Sequence, residues 1–137
     1  LSLVFLVILI CVSTDIGGYI FGKIFKGPKL TKISPKKTYS GMVGGYFFSI
    51  IIIIFFLDYY YLVSDNSIAY TSKILIIILL ISTISQIGDI IISYFKRLSK
   101  VKDTGKLIPG HGGILDRIDG MIFAFPFFYI YILLINL

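Results

Sequence analysis

The stretch from Ser93 to Asp119 reads SYFKRLSKVKDTGKLIPGHGGILDRID. It contains three of the seven acidic residues, six of the thirteen basic residues and the only histidine of the chain. A long apolar segment lies on each side of it. Charged groups beside a bilayer are costly unless they are paired or used, so we expect this stretch to be the working part of the chain.

The composition predicts a membrane protein. Of the 137 residues, 57% are hydrophobic and 15% are charged, and the mean hydropathy is +0.96. Soluble domains are about half apolar and about a quarter charged. The net charge of +6 suits anionic lipid headgroups and phosphorylated substrates. The single cysteine, Cys11, excludes a disulfide within the chain and is expected to be a small buried apolar side chain.

Four apolar segments predict an all-α fold, a polytopic membrane helix bundle with about four transmembrane helices. The expected spans are residues 1–25, 42–63, 71–95 and 117–137. We interpret residues 1–137 as a single membrane catalytic domain, and as an N-terminally truncated fragment because the chain starts with Leu inside an apolar run. The pairs Gly18/Gly22 and Gly41/Gly45 have the spacing that permits close helix packing.

The basic residues predict the orientation in the membrane. Residues 23–41 and 96–117 each contain six basic residues, and the turn at 64–70 contains none. We therefore expect two basic cytoplasmic loops, brought to one side by a hairpin of the second and third spans. If their segments are helical, Asp15 would lie about 12 Å and Asp89 roughly 10 Å below the cytoplasmic ends of their helices. This depth predicts a shared polar cavity; the alternative is that each carboxylate is buried and satisfied by a polar neighbour.

Two further features of the charged stretch could carry chemistry. Asp116 and Asp119 share a helix face if the fourth helix begins near Leu115, and a Mg²⁺ ion between them would relieve their repulsion. Acidic residues also favour a helix N-terminus for its dipole alone. The glycine-rich turn at 109–113 leads into that helix and is suited to bind an anion. Its residue His111 fits a structural role as well as a catalytic one, and a zinc site is not expected.

The same stretch fits a longer pattern of fixed spacing: Ser-x-apolar-Lys-Arg, four residues, Lys-Asp-x-Gly, then apolar-Pro-x-His-Gly-Gly-apolar-x-Asp-Arg-apolar-Asp. The matching positions are Ser93, Phe95, Lys96, Arg97, Lys102, Asp103, Gly105, Ile108, Pro109, His111, Gly112, Gly113, Ile114, Asp116, Arg117, Ile118 and Asp119. This pattern resembles the signature of the phosphatidate cytidylyltransferases (CDP-diacylglycerol synthases), without a departure over its length.

A second segment, Ser34 to Thr38, has the sequence SPKKT. It reads as a solvated basic loop, and it also resembles a segment of that family which is thought to bind substrate phosphates. The family usually has Glu before the glycine that follows; here Ser40 precedes Gly41. We therefore assign no role to position 40.

The resemblance implies transfer of CMP from CTP to phosphatidate, with release of pyrophosphate and dependence on Mg²⁺, with room for a second cation. The implied catalytic residues are Lys102, Asp103, His111, Asp116 and Asp119. The metal ligands that we predict are Asp103, Asp116 and Asp119, with Asp89 either supporting these ligands or binding a second cation. The implied substrate-binding residues are Ser34, Lys36, Lys37, Thr38, Lys96, Arg97, Gly112, Gly113 and Arg117.

The resemblance also implies partners and a location. The expected partners are CTP, phosphatidate and membrane lipid, with no nucleic acid, and a homodimer is allowed. The protein would lie in a bacterial-type inner membrane with its active site on the cytoplasmic side. Its cavity would open sideways to lipid, because the acyl chains of phosphatidate must stay in the bilayer.

Three alternatives remain open from the residues. A CTP-dependent polyprenol or phytol kinase would transfer the γ-phosphate of CTP. An ion-coupled membrane transporter would use Asp15 and Asp89 as an ion path. A purely structural membrane subunit would need none of the aspartates at positions 89, 103, 116 and 119.

Overall fold

The computed structural model describes residues 3–32, 34, 37–64, 72–100 and 115–136, with side chains described for 4–32, 34, 37–59, 73–100 and 118–134. Four helices follow in chain order: α1 Leu3–Phe25, α2 Tyr39–Ser64, α3 Ser72–Leu98 and α4 Leu115–Asn136. Among these residues the only pairing of extended backbone is an isolated antiparallel bridge between Lys29 and Thr38. The predicted all-α bundle is confirmed, with a fourth helix that begins at Leu115 as expected.

The helices are those of a membrane protein. Three described segments are long and apolar enough to cross a bilayer, namely Val4–Phe25, Tyr39–Tyr59 and Lys73–Leu98. The fourth helix contains a shorter apolar section, Ile118–Leu134, and continues through Pro126. Large apolar side chains such as Phe47, Phe55 and Leu134 are exposed on the outside of the bundle. Such a surface is suited to lipid and would promote association in water.

Close glycine contacts join α1 to α2. A Cβ atom on Gly41 would lie 2.6 Å from the carbonyl oxygen of Gly18, and one on Gly45 would lie 2.9 Å from that of Thr14. Because a side chain at either position would separate the helices, only glycine permits this approach of the backbones. The small-residue spacing in the sequence therefore correctly predicted close packing, and the structure shows that the two glycine pairs serve the same interface.

The two ends of the bundle differ in polarity. One end holds an apolar core of nine buried residues: Val7, Ile10, Cys11, Ile53, Leu57, Ile78, Ile81, Ala124 and Phe128. The burial of Cys11 is as expected. The other end is formed by the second halves of α1 and α3 and the first turns of α2 and α4, and it holds two lysine–aspartate ion pairs. The helices pack mainly as the pairs α1–α2 and α3–α4, so α2 and α3, the expected hairpin, share a smaller interface.

Candidate active-site cavity

An open cavity of about 520 Å³ lies at the charged end of the bundle. All four helices and the segment before α2 contribute to it, with both apolar and polar groups. Its lining residues are Thr14, Asp15, Gly18, Tyr19, Leu30, Lys37, Thr38, Gly41, Met42, Gln86, Asp89, Ser93, Lys96 and Asp119.

The first ion pair in the cavity joins the segment before α2 to the second half of α3. Lys37 Nζ lies 3.0 Å from Asp89 Oδ2 and donates a hydrogen bond to it. The two side chains are 29% and 21% exposed, so the pair is only partly shielded from its surroundings. The contact brings the basic segment before α2 and the charged end of α3 to the same end of the bundle.

The second ion pair joins α3 to the first turns of α4 and is more deeply buried. Lys96 Nζ lies 2.7 Å from Asp119 Oδ2, and the two side chains are 16% and 8% exposed. A charge pair removed from solvent interacts more strongly than one at a surface, but each partner then depends on the other to offset its desolvation. Asp119 and Lys96 therefore hold charge of opposite sign in a fixed place at the cavity wall.

Hydroxyl and amide groups extend the polar lining towards the bundle interior. Thr14 Oγ1 donates to the carbonyl oxygen of Ile10 at 2.8 Å and lies 2.9 Å from Ser82 Oγ. Gln86 Nε2 donates to the carbonyl oxygen of Met42 at 3.4 Å. These bonds satisfy polar groups that would be costly in an apolar interior.

Thr38 directly precedes the first residue of α2, Tyr39, and caps this helix. Its Oγ1 accepts a hydrogen bond of 3.1 Å from the backbone N–H of Gly41, which is the usual bond of a helix N-cap. Ser40 Oγ accepts a bond of 3.2 Å from the N–H of Gly27 and lies 3.1 Å from Thr38 Oγ1. The cap and this bond fix the segment before α2, and with it the backbone that carries Lys37, against the end of α1.

The structure brings together five of the predicted site residues. Lys37, Thr38, Asp89, Lys96 and Asp119 all line the cavity, although they come from three regions of the chain. Asp15 and Asp89 share this cavity, as their depth in the sequence predicted.

Other predicted residues lie elsewhere. Arg97 is exposed and does not line the cavity, and Ser34 is half-buried outside the lining, where its backbone N–H bonds Thr31 Oγ1 at 3.1 Å. Their roles stay predictions. The predictions for Lys36, Lys102, Asp103, His111, Gly112 and Gly113, and for the side chains of Asp116 and Arg117, fall outside the described residues.

Sequence reasoning assigned no role to several lining residues. Thr14, Tyr19, Gln86 and Ser93 each present a polar group on a helix that also carries a predicted site residue or Asp15. Two of them could have been recognised from the sequence, because Ser93 belongs to the charged stretch and Gln86 is a polar residue within an apolar run. Thr14 adjoins Asp15 and gave no signal beyond that position.

The carboxylates fit a hard divalent cation by their chemistry. Oxygen ligands from aspartate are those that Mg²⁺ prefers, and Asp89 and Asp119 already attract a cation, since each holds a lysine ammonium group. Within the described part of the chain no three histidine, cysteine or acidic residues are grouped closely enough to form a metal site alone. Asp89 and Asp119 would thus supply part of a ligand set.

The fold and the cavity define a class of protein: a polytopic membrane helix bundle with paired lysines and carboxylates in a cavity at one end. Sequence comparison gives the family. The model of the cytidylyltransferase family matches residues 1–135, and the chain belongs to that family.

Bacterial relatives named phosphatidate cytidylyltransferase are similar to most of the chain. The protein of Rickettsia typhi is 40% identical over 120 residues, which cover 85% of this chain and 52% of that protein. The protein of Rickettsia conorii is 42% identical over 113 residues, covering 80% and 49%. The protein of Brucella suis is 38% identical over 120 residues, covering 87% and 42%. The chain thus spans about half the length of these relatives.

Proposed function

We propose that this chain is the catalytic part of a CTP:phosphatidate cytidylyltransferase, which makes CDP-diacylglycerol and pyrophosphate. The observation that supports it most is the convergence of two lysine–carboxylate pairs, Lys37–Asp89 and Lys96–Asp119, in one cavity. All four residues were predicted as site residues from the sequence: Lys37 from the segment 34–38, Lys96 and Asp119 from the stretch 93–119, and Asp89 from the third span. The names of the bacterial relatives agree with this activity.

In this reaction an oxygen of the phosphatidate phosphate attacks the α-phosphorus of CTP. A new P–O bond forms there as the bond from the α-phosphorus to the bridging oxygen of pyrophosphate breaks, and pyrophosphate leaves with that electron pair. The protein must therefore orient three anionic groups in line and offset their charge.

The lysines are suited to that task. An ammonium group has three N–H donors, and the bond of Lys37 to Asp89 uses one of them. Its other N–H groups can bind phosphate oxygens near the N-terminus of α2, where residues 23–41 supply further positive charge. Lys96, held by Asp119, would place a second ammonium group in the cavity, between α3 and α4.

Mg²⁺ is the cofactor that we propose, with Asp89 and Asp119 among its ligands and with space for a second cation. When bound, it would offset charge on the phosphates and stabilise the leaving oxygen. The remaining ligands that we propose are Asp103 and Asp116, from the predictions made on the sequence.

The same proposal includes the membrane setting. The excess of lysine near the cavity end favours the cytoplasmic side of a bacterial inner membrane. Phosphatidate would enter from the bilayer, so that its acyl chains stay in lipid while its phosphate reaches Lys37 and Lys96. A homodimer is compatible with this arrangement.

Two radiolabels in CTP test the function directly. The full-length protein, reconstituted with phosphatidate and Mg²⁺, should transfer ³²P from the α-position of CTP to a lipid product and release the γ-label as pyrophosphate. Transfer of the γ-label to a polyprenol or phytol acceptor would instead show a CTP-dependent kinase. Absence of both transfers would overturn the enzymatic proposal.

A further inference from the structure

At Gly120, the residue after Asp119 on α4, the backbone of α4 lies close to the carboxylate of Asp89. A Cβ atom at Gly120 would collide with Ser85 Oγ, and it would lie 2.8 Å from Asp89 Oδ1 and 2.8 Å from the carbonyl oxygen of Ser85. Gly120 is buried. A methyl group there has no space unless the carboxylate, the hydroxyl group or the helix itself moves.

The two oxygens of Asp89 are thereby given different surroundings. Oδ2 accepts the hydrogen bond from Lys37 at 3.0 Å, on the side of α2. Oδ1 lies against the backbone of α4 at Gly120, the residue that follows Asp119. The carboxylate of Asp89 is therefore held between the lysine on one side and the α4 backbone on the other.

We propose that Gly120 is a positioning residue, whose missing side chain lets the carboxylates of Asp89 and Asp119 act on one divalent cation. This inference rests on the proposed function, since it requires the two aspartates to share a metal ion. A side chain at position 120 would force Asp89 Oδ1, Ser85 or α4 to move, and so would change how the two carboxylates are placed relative to each other. Residues that orient metal ligands without touching the metal typically change its affinity by about 10–100-fold.

The competing explanation is that Gly120 only allows close packing of α3 and α4. Gly88 provides the matched control, because it lies in the same interface and is also buried. The three atoms that a Cβ atom at Gly88 would meet first all belong to the Phe123 side chain, at 2.8–3.2 Å. If packing alone matters, alanine at the two positions should have similar effects.

The test is Mn²⁺ affinity, measured by electron paramagnetic resonance on the full-length protein in lipid nanodiscs. Helix content and thermal unfolding are recorded for each variant. We expect Gly120→Ala to weaken Mn²⁺ binding about tenfold or more, and Gly88→Ala to change it less than about threefold. In an Asp89→Asn background, Gly120→Ala should have no further effect on Mn²⁺ affinity, because its action passes through that carboxylate.

Equal Mn²⁺ affinity in the wild type and Gly120→Ala would overturn the inference while leaving the metal site intact. So would an equal loss in Gly88→Ala, or an undiminished loss in the Asp89→Asn background. If Gly120→Ala does not fold, Asp89→Glu replaces it: the longer carboxylate should not fit against α4 and should bind Mn²⁺ more weakly, and unchanged affinity would overturn the inference. A wild-type protein that binds no Mn²⁺ would overturn the proposed metal site itself.

Discussion

Lys96 Nζ bonds Asp119 Oδ2 at 2.7 Å across the interface between α3 and α4, in the more buried of the two ion pairs of the cavity. The two residues stand at opposite ends of the charged stretch of sequence, 23 positions apart. Their contact brings the end of α3 and the start of α4 together at the cavity. The Lys37–Asp89 pair brings a second region of the chain to the same place.

Removing one partner of the buried pair should destabilise the protein. In Lys96→Met the Asp119 carboxylate loses this ammonium partner, and a broken buried pair typically costs about 3–5 kcal/mol. Asp119→Asn should have a comparable effect on thermal unfolding in detergent. The double variant should lose less than the sum of the two single losses, and strict additivity would contradict a direct interaction.

Lys37→Met should change binding more than stability. The Lys37–Asp89 pair is partly exposed, and such pairs contribute about 1 kcal/mol or less. We expect a higher KM for CTP with little change in the unfolding temperature. Lys29→Met is the control, since Lys29 is exposed, carries the same charge and does not line the cavity. An equal rise in KM for both variants would point to general attraction of the nucleotide rather than to a contact made by Lys37.

Gly41→Ala should weaken the α1–α2 interface. Its Cβ atom would lie 2.6 Å from a backbone oxygen of α1, and overpacking of this kind typically costs about 1–3 kcal/mol. Gly18→Ala, whose Cβ atom would lie 3.5 Å from the Gly41 carbonyl oxygen, should be tolerated. Thermal unfolding of both variants measures the difference, and a Gly18→Ala variant as unstable as Gly41→Ala would contradict the contact geometry.

Thr38→Ala should remove the N-cap of α2. Loss of such a cap typically costs about 1 kcal/mol. Thr38→Ser keeps the hydroxyl group that accepts the bond from the Gly41 N–H and should retain the stability. If activity in Thr38→Ser also stays at the wild-type level while Thr38→Ala loses it, the hydroxyl group rather than the methyl group of Thr38 matters for the site.

The sequence predicted the helices well because the apolar segments are long and separated by basic or polar turns. The expected second span starts at residue 42, whereas α2 begins at Tyr39 because Thr38 caps it. The expected third span ends at residue 95, whereas α3 continues to Leu98 and so carries Lys96 on a helix. Charged residues lower the hydropathy of a segment but do not end a helix, so α3 extends beyond the apolar span.

The site could be predicted in its chemistry but not in its pairing. Depth below the basic end correctly placed Asp15 and Asp89 in one cavity, since a helix converts sequence distance into length. No spacing rule could show that Lys37 would pair with Asp89 and Lys96 with Asp119, because each pair joins separate elements. The contact of Gly120 with Asp89 likewise depends on how α3 crosses α4.

The most direct test of the account is the position of Mn²⁺ in an experimental structure of the full-length protein with CTP. Anomalous scattering should place the ion at coordinating distance from carboxylate oxygens of both Asp89 and Asp119, with the ammonium groups of Lys37 and Lys96 turned to the phosphates. An ion bound away from these two aspartates, or a nucleotide bound outside the cavity that they line, would contradict it.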